Sequence, residues 1–252
     1  MVDDLVSIIT PAYNAEEHIG ETIESVLAQT YKNWEMIIVN DCSKDNTLKI
    51  ANEYAALDNR IKVINLEKNG GAANAWNVAF NCMKGRYLSF LDSDDLWIET
   101  KLEEQINFMQ ENNYAFTYAS YDWIDSNSKS LHKIIKIPKI MSYKAMLKNS
   151  NIGLLTVMID RNQINIKPIP CVNMAWDFLL WAKILKQGVI AHGYDNIIAH
   201  YRILSNSASR NKKKAALGLW NIYKNYLCIP FFKRCYYFMW YALNSIKRYY
   251  LD

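Results

Sequence analysis

The chain has 252 residues, of which 51% are hydrophobic, 21% charged and 13% aromatic; that is enough to bury one substantial core and excludes a disordered or fibrous polymer. The net charge of +4 hides an asymmetry, because residues 1–195 carry a net −5 and residues 196–252 a net +9. A basic end on an acidic body calls for anionic partners such as lipid headgroups or phosphates, while five scattered cysteines without a C-x-x-C pair exclude a disulfide framework and a cysteine zinc site.

The acidic start Met1-Val2-Asp3-Asp4 has no signal-peptide character, and a strand-like run, Val6 to Thr10, follows and ends at Pro11. Ile19, Ile23, Val26 and Leu27 then fall at helical spacing within Ala15–Gln29. Met36–Val39 is a second strand closing on Asn40-Asp41, Thr47–Leu57 a helix, and Ile61–Leu66 a third strand. Gly70-Gly71 opens a helix running to about Met83, and the strand Arg86–Leu91 delivers Asp92 at its carboxyl end. This alternation predicts an α/β fold with a mostly parallel central sheet, right-handed crossovers and flanking helices. Further on, Tyr114–Ser120, Ile134–Ile137 and Leu154–Ile159 read as strands, and Met174–Gln187 reads as a helix ending at Gly188. From Ser207 the chain reads as helix in two pieces broken at Pro230. The expected organisation is one domain over 1–205 and a helical tail over 206–252.

Ligands of open α/β sheets collect at the carboxyl ends of the strands. Three such ends here are polar or acidic: Pro11-Ala12-Tyr13-Asn14, Asn40-Asp41 and Asp92-Ser93-Asp94-Asp95. Converging carboxylates repel one another unless a cation sits among them, and Mg2+ or Mn2+ bridging phosphates is the usual one. Taken alone, Asp92 to Asp95 would read first as a solvated turn capping the helix that begins near Ile98. Its place after an apolar strand, opposite a second strand-end aspartate, favours the metal.

Val6 to Asn14, Ile38 to Asp45, Asn69-Gly70-Gly71 and Phe90 to Asp95 together resemble, in order and spacing, the inverting family 2 glycosyltransferases of bacterial capsule, teichuronic acid and lipopolysaccharide synthesis, which have the GT-A fold. The resemblance is strong over about residues 5–110 and weaker to about 215. It implies a nucleotide-sugar half over 1–112 and an acceptor half over 113–205. It also implies that Pro11, Ala12 and Tyr13 line the nucleobase pocket, that Asp41 accepts the uracil N3–H, and that Gly71 and Ser93 border the donor. Asp92 would reach the ribose or the metal, and Asp94 would ligate Mn2+ or Mg2+. A turn role for Asp41 within Asp41-Cys42-Ser43 is the plainer alternative.

Inverting transfer also needs a base for the acceptor hydroxyl, and the family pattern x-[E/W]-D-x-x-L-W falls on Ala175 to Trp181, giving Asp177. Charge–dipole attraction at a helix start would also account for Asp177. Arg202, in His200-Tyr201-Arg202, would pair with donor phosphate or else form a surface ion pair. His192 and His200 lack metal-ligand spacing. One departure stands out, since the family's Ala-Arg-Asn is here Ala75-Trp76-Asn77. Either Arg202 or Lys101 takes over from the missing arginine, or Trp76 packs against sugar or base. The Gln-x-x-Arg-Trp signature of processive synthases is absent, so a single addition is expected.

Twelve aromatics lie between Trp220 and Tyr250 among Lys224, Lys233, Arg234, Lys247 and Arg248. Tyr and Trp favour the headgroup region, and the stretch Cys235–Ile246 is too short to span a bilayer. The expectation is a cytoplasmic protein held peripherally at the inner face of the cytoplasmic membrane, using a UDP-sugar donor and a lipid-linked or polysaccharide acceptor, with no nucleic-acid partner. Packing of the tail on the domain is the alternative. Two other functions stay open, a sugar-phosphate nucleotidyltransferase and a non-catalytic membrane-bound subunit. The first would need a Gly-rich basic loop after the first strand, where Pro11 to Asn14 offers neither glycine nor a cation.

Overall fold

A computed structural model describes residues 2–172, 174–204 and 212–250. In chain order, β1 (Val2–Ala12), α1 (Ile19–Leu27), β2 (Trp34–Asn40), α2 (Thr47–Leu57), β3 (Ile61–Asn65), α3 (Ala72–Cys82) and β4 (Gly85–Phe90) form the first half. After β5 (Leu96–Trp97) and α4 (Lys101–Asn112) come β6 (Phe116–Ile124), β7 (Ser130–Ile135), β8 (Ile140–Met141), α5 (Tyr143–Met146), β9 (Met158–Asp160), α6 (Trp176–Leu185) and β10 (Ala191–Arg202). The last described elements are α7 (Lys212–Asn221), a π-helical turn Ile222–Tyr226, and α8 (Phe231–Tyr250).

One sheet organises the chain in the order β3-β2-β1-β4-β9-β6-β10-β5, with β7 on β6 and β8 on β10. β3, β2, β1 and β4 pair in parallel, as do β6 and β10, while β9 is antiparallel to both β4 and β6. The six longer core strands therefore share one direction, and their carboxyl ends lie along one edge. Alternation along the strands feeds two cores. Ile9, Ile37, Val39, Leu88 and Phe90 face one side, and Val6, Ile8, Met36, Ile38 and Tyr87 face the other. α1 closes the second face with Ile19, Thr22, Ile23 and Val26, one stripe of an amphipathic helix.

The second half departs from the sequence reading. Leu154–Ile159 is not one strand; Leu154–Thr156 is a 3-10 turn and β9 starts at Met158. β10 is a strand that the sequence pattern did not reveal. Its register slips at Tyr194/Ile197 and again at Ile197/His200, which destroys the two-residue period. The basic tail docks on the domain: Tyr237, Phe238 and Tyr241 pack on the larger core, and Asn244 Nδ2 donates to Lys148 O at 3.0 Å.

Candidate active site

The site forms where the loops after β1, β2 and β4 meet the start of α6. The first two loops are clasped together. Asn14, at φ +49°, donates its N–H to Ser43 Oγ (3.0 Å) and accepts Lys44 N–H on Oδ1 (2.8 Å). Ala15 N–H donates to Thr47 Oγ1 (2.7 Å), and Asn46 N–H to Glu16 Oε2 (2.9 Å). Tyr13, standing on this clasp, is 51% exposed, whereas Ala12 behind it is buried. An exposed ring on a rigid loop end is a ready stacking surface.

Asp41 is buried at the end of β2, with its N–H on Ala12 O (2.8 Å). Its carboxylate oxygens accept the N–H groups of Gly70 (2.8 Å) and Gly71 (2.7 Å). The 69–71 loop is thereby drawn onto the strand ends, and Gly71 takes φ +79°, which its lack of Cβ permits. An ionised carboxylate has about four acceptor positions, so two remain on Asp41.

β4 ends in the acidic turn, where Asp95 N–H donates to Asp92 O (3.2 Å) and Ser93 is buried. Burial, then Asp94, then Asp177 push the Asp92 carboxyl up to about 7. That coupling shows the structure bringing Asp177, from α6, to the acidic turn. Ala175 at the N-cap of α6 adopts a left-handed φ of +55°, which turns the chain sharply just before Asp177. Burial raises Asp177 above the carboxylate range, opposed by backbone N–H groups including that of Phe178. Burial likewise raises Asp94, with a backbone N–H, His18 and Arg202 opposing. Asp95 is pushed up further by burial and by Asp94 and Asp92; its Oδ1 accepts Arg202 N–H (2.9 Å), and its Oδ2 has no hydrogen-bond partner among the described residues.

Arg202 reaches this site from the end of β10 as an enclosed clamp, neither open to solvent nor a surface ion pair. Its side chain is 0% exposed. Nε donates to Asp94 O (2.7 Å), one terminal nitrogen to Glu21 Oε2 (2.8 Å), and the other to Ser128 Oγ (2.9 Å). Glu21 is held below the usual carboxylate range, first by the Ser128 hydroxyl and then by Arg202 against the cost of burial. Glu21, Ser128, Asp95 and His18 carry no sequence signal for this role, because the network joins α1, the turn, the 125–129 loop and β10. His18 is buried at the start of α1, and among the described residues neither of its ring nitrogens has a hydrogen-bond partner.

Two candidates to replace the family arginine go elsewhere. Lys101 is fully buried, with Nζ on Ser89 Oγ (2.5 Å) and 3.8 Å from the Trp97 ring centroid. Trp76 is also fully buried, so it cannot meet sugar or base. It stacks on Phe80 (5.1 Å) and Phe90 (6.2 Å) and packs on Trp176 (6.1 Å), forming an aromatic floor under the acidic turn and the start of α6. His192 stacks on Tyr114 at 3.6 Å and His200 Nδ1 pairs with Asp122 Oδ1 at 2.5 Å. Among the described residues, no three His, Cys, Asp or Glu side chains stand as a complete cage for a metal ion.

The sequence profile described as glycosyl transferase family 2 matches residues 7–169, well over half of the chain. The chain belongs to glycosyl transferase family 2. This glycosyltransferase is 44% identical over 244 residues to TuaG of Bacillus subtilis, a protein named for teichuronic acid biosynthesis, with 97% of each chain covered. It is 42% identical over 253 residues to WfgD of Escherichia coli, a UDP-Glc:alpha-D-GlcNAc-diphosphoundecaprenol beta-1,3-glucosyltransferase, covering 100% of this chain and 98% of the other. The fold matches Staphylococcus aureus TarS 1–349 in complex with UDP-GlcNAc, at a TM-score of 0.69, 20% identity, and 97% and 76% coverage. It also matches the mannosyltransferase PcManGT of Pyrobaculum calidifontis in complex with GDP-Man and Mn2+, at a TM-score of 0.66, 16% identity, and 90% and 65% coverage. The enzyme thus has the GT-A fold. Asp177 lies beyond the residues that the family profile matches.

Proposed function

We propose that this enzyme moves one sugar from a UDP-sugar to a lipid-linked or polysaccharide acceptor of bacterial envelope synthesis, inverting the anomeric centre. The observation that carries this reading is the packing of Trp176, the residue before Asp177 at the start of α6, against Phe90 at the end of β4 (6.3 Å), which brings Asp177 towards the Asp92-Ser93-Asp94 turn. Tyr13 stacks on the base between Pro11 and Ala12, Asp41 uses a free acceptor position for uracil N3–H, and the Gly71 and Ser93 backbones border the donor. A nucleotidyltransferase reading is disfavoured by the loop after β1, whose clasp is made by Asn14, Ala15 and Glu16 and offers triphosphate no glycine or cation.

The donor set fits a hard divalent cation, Mn2+ or Mg2+. Asp92 and Asp94 supply only oxygen, Asp94 raises the proton affinity of Asp92 and both raise that of Asp95, and a diphosphate would complete the shell. When bound, such an ion would neutralise charge on the departing nucleoside diphosphate. Asp94 is the ligand and Asp92 divides between metal and ribose. Arg202 does not touch phosphate in this arrangement; it fixes the carbonyl of Asp94 and, through its N–H, Asp95. Asp177 removes the acceptor hydroxyl proton on the face opposite the leaving group. Burial raises its proton affinity, which strengthens it as a base once ionised.

The name of WfgD supports an acceptor carried on a lipid diphosphate, and with such an acceptor the enzyme would work at the inner face of the cytoplasmic membrane, with peripheral contact through residues 206–252. No described helix is long and apolar enough to cross a bilayer. The test is a panel of nucleotide sugars with and without Mn2+. The proposal expects metal-dependent release of UDP from at least one UDP-sugar, lost in Asp94→Ala. If no nucleotide binds or turns over, the reading is wrong.

A further inference from the structure

Among the described residues, one face of α8 is largely exposed, although Lys148 Nζ lies 5.1 Å from the Tyr236 ring centroid. Phe231 is 58% exposed, Phe232 86%, Tyr236 44%, Met239 52%, Trp240 40% and Leu243 52%. Positions 232, 236, 239, 240 and 243 follow helical spacing, so these side chains form one stripe. The opposite face is committed to the protein. Tyr237, Phe238 and Tyr241 pack on the core, Phe238 meets Trp220 edge-on at 5.3 Å, and Asn244 is tied to Lys148 O. α8 is thus a rigid part of the catalytic domain that presents a contiguous apolar face to the outside, which soluble monomers seldom do.

Charge identifies the occupant. Lys224, in the turn before α8, and Lys233, on α8, are exposed, Arg234 lies 5.0 Å from the Trp220 ring centroid, and Asp252 is the lone acidic residue after residue 195. An apolar protein surface would match the stripe but leave this positive charge unanswered. An anionic bilayer matches both, since aromatic rings settle at headgroup level and lysines draw acidic lipid. We propose that α8 lies in the plane of the interface of an anionic phospholipid bilayer, with Phe232, Tyr236, Met239, Trp240 and Leu243 inserted. This rests on the membrane-borne acceptor read above and specifies the surface and the lipid class. Because the inner face of α8 is docked, binding also fixes the orientation of the catalytic domain relative to the bilayer.

Co-sedimentation of the full chain with phosphatidylcholine vesicles, with and without phosphatidylglycerol, tests this without requiring catalysis. The wild type sediments with the phosphatidylglycerol vesicles, far less with phosphatidylcholine alone, and is released by high salt. Phe232→Ser with Trp240→Ser weakens partitioning about tenfold or more. Lys224→Gln and Lys233→Gln each weaken it about fivefold. Thermal unfolding and UDP release from a soluble UDP-sugar stay at wild-type values in all of them. Failure of UDP release in the wild type would count against the glycosyltransferase chemistry and leave the vesicle result to judge the helix. The membrane proposal is overturned if wild type stays in solution with anionic vesicles, or if the substituted proteins sediment unchanged. It is equally overturned if the wild type is a dimer that Phe232→Ser and Trp240→Ser split, since the stripe would then be a subunit interface.

Discussion

Replacing Asp92 with asparagine should stabilise the ligand-free enzyme at alkaline pH while destroying its activity. Burial, Asp94 and Asp177 raise the Asp92 carboxyl to about 7. Three pK units would correspond to about 4 kcal/mol for a group cut off from water. Asp92 is only half-buried by surface, so screening reduces the figure to about 1–2 kcal/mol. The sign follows from proton linkage: the folded state holds the proton more tightly than the unfolded chain, so this group's contribution is favourable at low pH and is lost as pH rises through about 7. The ligand-free wild type should therefore lose stability between about pH 5 and about pH 8 through this group, and Asp92→Asn should not. For a chain of this size the difference is about 3–6 °C in melting temperature at about pH 8, shrinking towards pH 5. Differential scanning fluorimetry at the two pH values measures it, and added Mn2+ should recover stability in the wild type more than in the variant. An Asp92→Asn protein that melts below wild type at about pH 8, or whose advantage is equal at both pH values, would refute the reasoning.

Three further outcomes follow from packing. Arg202→Lys keeps the charge but not the fork that reaches Asp94 O, Glu21 and Ser128 together; it should cost about 2–4 kcal/mol in chemical denaturation and lower kcat through misplacement of the turn. Among the described residues Lys101 has no carboxylate partner, and burial holds its pKa well below the lysine range. The fold therefore disfavours its charged form relative to the unfolded chain, so Lys101→Met should stabilise by about 1–3 kcal/mol, with the gain growing as pH falls. Trp76→Ala should cost about 3–5 kcal/mol, and Trp76→Arg, which restores the family residue type, at least as much, because the site is closed on all sides.

The parallel half of the sheet was legible because local signals agree there: apolar runs such as Met36–Val39 end on polar residues, and helices such as Thr47–Leu57 appear with the expected bounds. The acidic turn and Asp41 were legible as strand-end carboxylates for the same reason. β10 was not, because its register slips interrupt the alternation that marks a strand. The setting of Arg202 was beyond local reading too, since its partners Glu21, Asp94 and Ser128 come from three separate segments. Trp76 invited a ligand role on chemical type alone; only packing against Phe80, Phe90 and Trp176 shows it as floor. In the tail, the packing reading holds for Tyr237, Phe238 and Tyr241, which sit against the core, while composition alone could not say which aromatics would stay exposed.

The central claim is that Asp177 is the base serving a donor held at the Asp92-Ser93-Asp94 turn. Asparagine at 177 is nearly isosteric and cannot take the proton. With the UDP-sugar that the wild type turns over and its acceptor, Asp177→Asn should transfer sugar at least about a thousandfold more slowly, while isothermal titration gives UDP affinity within about twofold of wild type. Transfer at near-wild-type rates would contradict the account.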